Sequence, residues 1–201
     1  RSALEFATIR SLVAISKMNN IPAQIGAPLD EIDTPALIVD LDAFEHNLDK
    51  MAVFAKAAGV RLRPHAKTHK CPTVARKQIA AGAVGQCCQK VGEAEALVRG
   101  GVRDVLVSNQ VVGTHKLRRL ASLATDATIG LCFDAPEQVA AAAHAAHEAG
   151  VEFGGMVELD VGMQRCGVAT PDAVRELAER IANTPGLVFR GLQAYHGTAQ
   201  H

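Results

Sequence analysis

Short runs of β-forming residues alternate with amphipathic helical patterns along most of this chain, which predicts an α/β protein with a parallel sheet. Strands separated by single helices pair in parallel through right-handed crossovers. The predicted strands cover residues 60–67, 84–90, 102–109, 127–134, 152–161 and 187–196. The predicted helices cover residues 72–81, 92–99, 115–124, 136–149 and 171–182. The pattern alone fits a β/α barrel and an open doubly wound sheet equally well.

One more strand and helix are predicted ahead of this alternation. Residues 36–40 have the composition of a strand, and the helix after them is expected to open at Asp42, with Glu45 three residues on as a capping box. Two of the later helices are expected to have Asp134 and Thr170 as their N-caps.

Composition limits the classes of protein that this chain can belong to. Its 201 residues are 48% hydrophobic and 21% charged with zero formal net charge, which is ordinary for a globular protein. Neutral charge, one Tyr and no Trp give no reason to expect nucleic-acid binding. No segment reaches the run of about 20 apolar residues that a membrane span needs. Five cysteines without a CxxC pair indicate reduced thiols, so we expect a cytoplasmic protein.

The basic run RPHAKTHK at residues 63–70 follows a short apolar segment. A lysine at the end of a strand among other cations, here Lys67, can act as an amine nucleophile toward an aldehyde. The alternative is a solvated cluster of charges, which is the usual place for lysine.

Four motifs in order resemble those of the D-threonine aldolase family. They are RPHAKTHKCP at residues 63–72, CCQK at 87–90, GMQRCG at 162–167 and GLQAYHG at 191–197. The resemblance runs from about Ile21 to His201. That family stands with D-serine dehydratases and 3-hydroxy-D-aspartate aldolases among pyridoxal-phosphate enzymes of the alanine-racemase fold.

The resemblance implies a pyridoxal-phosphate-binding (β/α)8 barrel of the TIM type, truncated here to about six barrel strands. Residues 1–20 are expected to be an N-terminal extension, either disordered or weakly helical. Residues 21–58 would hold the first strand, which leaves the barrel, and the first helix. Residues 59–201 would form the partial barrel, and the C-terminal β domain of the family would be missing.

The resemblance also implies roles for five side chains at the carboxyl ends of barrel strands, where such barrels build their active sites. Lys67 would form the Schiff base with the cofactor, Arg165 would hydrogen-bond its phenolic oxygen, and Tyr195 would lie against its pyridine ring. Arg165 as an ordinary surface arginine and Tyr195 as a core residue remain alternatives. Gln89 would contact the cofactor or be a buried glutamine bonded to backbone, and His65 would tune the lysine or fill space.

The function implied is retro-aldol cleavage of a β-hydroxy-D-amino acid, D-threonine or 3-hydroxy-D-aspartate, to glycine and an aldehyde. A divalent metal of the Mn, Mg or Zn type is expected in the full-length protein, with its ligands outside this chain, and so is a homodimer. The chain alone is expected to be inactive. The alternatives are a D-serine dehydratase on the same scaffold and a non-catalytic pyridoxal-phosphate-binding barrel.

Overall fold

A computed structural model describes residues 23–200 of the chain. By internal contacts the chain divides into a first unit, Arg1–His46, and a second unit, Asn47–His201. The predicted extension, residues 1–20, lies outside the described residues.

The first unit contains a 3₁₀ turn at Leu29–Glu31 and then extended chain. The strand predicted at residues 36–40 is not formed there, and Leu37 is 95% exposed. A short apolar run such as residues 36–40 marks a segment that is able to pair, but a strand exists only when a neighbouring strand bonds to it. Helix α1, Leu41–Ala57, already includes Asp42, so the capping box predicted at Asp42 and Glu45 is wrong. The cap is Asp40, whose Oδ1 accepts the Ala43 N–H at 2.9 Å.

The second unit is built on a five-stranded sheet in which every neighbouring pair is parallel and the spatial order follows the sequence. Its strands are β1 Gln86–Cys88, β2 Asp104–Gln110, β3 Thr128–Phe133, β4 Phe153–Glu158 and β5 Leu187–Gln193. Its helices after α1 are α2 Pro72–Ala80, α3 Val91–Arg99, α4 Thr114–Leu123, α5 Pro136–Ala149 and α6 Pro171–Ala182. A 3₁₀ turn at Gly197–Gln200 follows β5.

A sixth position in the sheet, beside β1, is held by the extended residues 62–66. His65 bridges Cys87 in parallel, the Cys87 N–H donates to the Pro64 carbonyl at 2.7 Å, and the Ala66 N–H donates to the Cys87 carbonyl at 2.7 Å. The strand predicted at residues 60–67 is reduced to this short ladder, which ends at Ala66. Five strands and one bonded segment agree with the predicted count of about six.

The core lies between the sheet and its helices. Val105 and Val107 on β2 and Phe153 on β4 are fully buried, as is Ile181 on α6. A Cβ added at Gly155 would lie 2.7 Å from Ile181 Cγ2, so glycine lets α6 approach β4 closely. Burial of a side chain such as Ile181 stabilises the fold by about 1.5–3 kcal/mol.

Two helix starts test the capping predictions. Thr170 Oγ1 accepts the Ala173 N–H at 3.2 Å, which confirms the cap of α6. The cap position of α5 is Ala135, so the prediction for Asp134 is wrong. The Asp134 carboxylate instead accepts the Gly167 N–H at 3.0 Å and so holds the loop after β4.

Because all strands run the same way, their carboxyl ends lie along one edge of the sheet, called here the carboxyl edge. This edge is where parallel α/β architectures place their sites. Within residues 23–200, no helix has the length and apolar character that crossing a membrane requires.

Candidate active site

Lys67 lies in the turn that follows the bonded segment at the carboxyl edge, and its side chain is exposed. The strand pairing stops at Ala66, so Lys67 is a turn residue and not the strand residue that was predicted. The Lys67 backbone N–H donates to His65 Nδ1 at 3.2 Å. The structure therefore brings His65 and Lys67 together through the lysine's backbone.

His65 is held on its other side by a strand residue that the sequence analysis missed. His65 Nε2 lies 3.1 Å from Ser108 Oγ, and Ser108 Oγ lies 3.2 Å from the Cys88 carbonyl, to which it donates. Burial lowers the pKa of His65, and the nearby Lys67 cation lowers it further. The ring is thus neutral at neutral pH, which agrees with Nδ1 accepting a hydrogen bond.

Arg165 and Tyr195 meet at the other end of the carboxyl edge. Arg165 lies in the loop after β4 and Tyr195 lies just after β5, and the guanidinium carbon is 4.6 Å from the ring centroid. A guanidinium over an aromatic face is attracted by the ring quadrupole. Tyr195 is half-buried and Arg165 is exposed.

The loop that carries Arg165 is pinned at both ends. Asp160 Oδ1 accepts the backbone N–H of Gly162 at 2.9 Å and of Gln164 at 3.0 Å. These bonds lower the pKa of Asp160, because they favour its ionised form. Gly167 has φ +101°, and a Cβ there would lie 2.6 Å from the Asp160 nitrogen, so only glycine fits without a shift.

Gln89 follows β1, and its side chain is exposed. The alternative of a buried glutamine bonded to backbone is therefore wrong for Gln89. The fully buried glutamine is Gln86, whose Nε2 donates to Gln78 Oε1 at 2.9 Å under helix α2. The Gln89 backbone N–H donates to Glu93 Oε2 at 2.8 Å, which helps to cap α3.

Glu158, at the end of β4, is a second residue that the sequence analysis missed. It is 3% exposed, and the amide Nε2 of Gln110 at the end of β2 donates to its Oε2 at 2.6 Å. Burial raises the pKa of Glu158, while the Gln110 hydrogen bond and the Arg165 charge oppose that shift. The sequence signal for both Gln110 and Glu158 is a polar residue at the end of an otherwise apolar strand.

The carboxyl edge offers groups that fit pyridoxal phosphate. Lys67 supplies an exposed amine for the aldehyde, Tyr195 a flat aromatic face, and Arg165 a cation with hydrogen-bond donors. The same edge offers no comparable site for a metal ion. Within residues 23–200, no three His, Cys, Asp or Glu side chains group as a cation site.

Comparison with known proteins shows which family this chain resembles. Residues 39–201 match the family model described as alanine racemase, N-terminal domain. The chain is 48% identical over 180 residues to D-threonine aldolase of Arthrobacter sp, covering 90% of this chain and 48% of that protein. It is 50% identical over 184 residues to 3-hydroxy-D-aspartate aldolase of Paracoccus denitrificans (strain Pd 1222), with the same two coverages of 90% and 48%.

A solved structure agrees with these matches. The crystal structure of D-threonine aldolase from Filomicrobium marinum superposes with a TM-score of 0.87 at 52% identity, covering 90% of this chain and 48% of that one. The chain thus spans about half the length of the curated relatives it matches. The predicted fold and the predicted relationship are both confirmed, and the chain belongs to the alanine racemase N-terminal domain family.

Proposed function

We propose that this chain carries the pyridoxal-phosphate-binding part of a carbon–carbon lyase that cleaves a β-hydroxy-D-amino acid to glycine and an aldehyde. The observation that carries the proposal is the exposed Lys67 amine at the carboxyl edge, directly after the segment bonded to β1. Relatives at about half identity named D-threonine aldolase and 3-hydroxy-D-aspartate aldolase support the reaction and the two candidate substrates.

Lys67 is proposed as the nucleophile that joins the cofactor aldehyde. When bound, the cofactor supplies a pyridinium electron sink for the breaking Cα–Cβ bond. Because His65 is neutral, it adds no positive charge beside the lysine. Its Nδ1 accepts the Lys67 N–H, and this bond holds the turn. The lysine side chain itself stays free to reach the aldehyde.

Arg165 and Tyr195 are proposed to receive the cofactor ring. The ring of Tyr195 offers a face for the pyridine, and the Arg165 guanidinium donates to the phenolic oxygen and keeps it ionised. The exposed side-chain amide of Gln89, at the same edge, is proposed to donate to the cofactor or substrate. The pinned loop holds the guanidinium in place before the cofactor binds.

The remaining expectations stay predictions. A divalent metal would acidify the substrate hydroxyl, and its ligands are expected outside the described residues, which offer no cluster for it. A homodimer rests on the family resemblance alone. A cytoplasmic location is supported by five cysteines that are all free.

The test is product analysis on the protein as the cell makes it, supplied with pyridoxal phosphate and a divalent metal. Release of glycine from D-threonine or 3-hydroxy-D-aspartate, abolished in Lys67→Ala, is the expected result. A 2-oxo acid with ammonia in place of glycine would assign the dehydratase instead. Cofactor binding with neither product would favour the non-catalytic barrel.

A further inference from the structure

Ser108 connects three neighbouring stretches of chain at the carboxyl edge. It lies on β2, its hydroxyl donates to the Cys88 carbonyl on β1, and it contacts His65 on the segment beside β1. His65 in turn accepts the backbone N–H of Lys67. A continuous chain of hydrogen bonds therefore runs from β1 through β2 to the turn of the lysine.

The protons of this chain have one consistent arrangement. A backbone N–H can only donate, so His65 Nδ1 must present its lone pair to Lys67. The neutral ring then carries its proton on Nε2, and Ser108 Oγ accepts it. With its acceptor role filled, the serine hydroxyl gives its own proton to the Cys88 carbonyl.

We propose that Ser108 is a positioning residue for Lys67, acting through His65. By fixing the tautomer and the plane of the imidazole, Ser108 keeps Nδ1 aimed at the Lys67 N–H. The backbone of Lys67, and with it the direction of its Cα–Cβ bond, depends on that contact. Loss of the serine hydroxyl leaves the Nε2 proton without this acceptor, and the ring no longer prefers the tautomer that holds the turn.

His69 gives an internal comparison two positions after Lys67. Its Nδ1 accepts the Cys71 N–H at 3.0 Å, the same ring-to-backbone bond that His65 makes. Its Nε2 is buried with no hydrogen-bond partner among the described residues. Both rings therefore accept a backbone N–H at Nδ1. They differ at Nε2, which contacts a serine in His65 and has no such partner in His69.

The proposal predicts how a change at Ser108 affects the two rings. Long-range ¹⁵N–¹H spectra of the cofactor-free chain assign the tautomer of each ring. In the wild type and in Ser108→Thr, which keeps the hydroxyl, His65 is expected to carry its proton on Nε2. In Ser108→Ala the His65 signals are expected to shift to a mixture of tautomers while the His69 signals stay in place. Unchanged His65 signals in folded Ser108→Ala would overturn the proposal.

The effect of Ser108 on the reactivity of Lys67 rests on the proposed function, so a separate labelling experiment measures it. The amine condenses with the aldehyde of pyridoxal phosphate with loss of water, and borohydride supplies the hydride that makes the new C–N bond permanent. The labelling rate at Lys67 is expected to fall about five-fold in Ser108→Ala, the loss typical of one hydrogen bond, and to be retained in Ser108→Thr. Labelling at Lys90 is the control and is expected to be unchanged.

The two measurements fail in different ways. If Lys67 of the wild type takes no label, the proposed function is wrong, while the tautomer spectra still decide the role of Ser108 on the ring. Equal Lys67 labelling in the wild type and Ser108→Ala would show that the serine does not position the lysine. If Ser108→Ala fails to fold, His65→Gln replaces it, because it removes the same chain of bonds and is expected to slow Lys67 labelling equally.

Discussion

The guanidinium carbon of Arg165 lies 4.6 Å from the centroid of the Tyr195 ring, and this contact joins the loop after β4 to the end of β5. Glycine at position 197 leaves room for the tyrosine, because a Cβ there would lie 2.6 Å from the tyrosine hydroxyl oxygen. The side chain that is proposed to bind the cofactor's phenolic oxygen is thus ordered by the side chain that is proposed to stack on its ring.

A double-mutant cycle measures this contact. Arg165→Gln and Tyr195→Leu are expected to show a coupling of about 0.5–1 kcal/mol in the free energy of unfolding, the range for exposed cation–π pairs. Tyr195→Phe keeps the aromatic face and is expected to retain the coupling with Arg165→Gln. Urea unfolding of the four cycle members gives the value. Strictly additive effects of the two substitutions would contradict the account.

Two glycines in the Arg165 loop separate steric contact from backbone conformation. Gly162 has φ +114°, and a Cβ there would have nothing within 4 Å. Gly167 has φ +101°, and a Cβ there would lie 2.6 Å from the Asp160 nitrogen. Gly162→Ala is expected to cost about 1 kcal/mol from conformation alone, and Gly167→Ala about 2–3 kcal/mol. Thermal or urea unfolding of both variants checks the order. Equal losses would contradict this account, because they would mean that the loop backbone shifts at Gly167 to make room for the added methyl group.

Acidification is expected to weaken the turn that holds Lys67. The pKa of His65 is lowered in the folded chain by burial and by Lys67, with Glu93 opposing the shift. The unfolded chain therefore binds the proton first, and the stability that neutral His65 contributes is complete above about pH 6.5 and is lost as the pH falls below it. Between about pH 7.5 and pH 5, wild type is expected to lose more stability than His65→Gln. Parallel pH profiles would contradict this.

Glu158 is expected to show the opposite dependence on pH. Burial raises the pKa of Glu158 in the folded chain above its ordinary value of 4.5, so the ionised carboxylate weakens the fold as the pH rises above that value. Glu158→Gln keeps an oxygen that accepts from Gln110 and removes the charge. Its free energy of unfolding is expected to exceed that of wild type at pH 7, with the difference shrinking toward pH 4. A variant less stable than wild type at neutral pH would show that the charge is stabilised in place.

The sequence predicted helices well where the chain marks their ends. The helices at 136–149 and 171–182 were predicted at their observed bounds, because a proline in the first turn of each fixes where the helix starts. The bounds of the strands were predicted less accurately. The strand at 84–90 is shortened to Gln86–Cys88, since Lys90 already caps α3 and its backbone N–H bonds to Glu93.

Residues that depend on contacts between distant segments were the hardest to find. Ser108 contacts His65 across β1, and Gln110 contacts Glu158 across β3. The sequence shows polar residues at the ends of apolar strands, but it does not show which of them pair. The segment at 36–40 shows the converse, because its apolar pattern predicted a strand that has no ladder in the structure.

The position of the cofactor on Lys67 is the central claim, and borohydride reduction of the chain with pyridoxal phosphate, followed by peptide mapping, tests it most directly. The account predicts that Lys67 carries most of the pyridoxyl label, and that Lys67→Arg keeps only the background label of other lysines such as Lys90 under the same conditions. A label concentrated on Lys70 or Lys90, or an equal label in Lys67→Arg, would contradict the assignment.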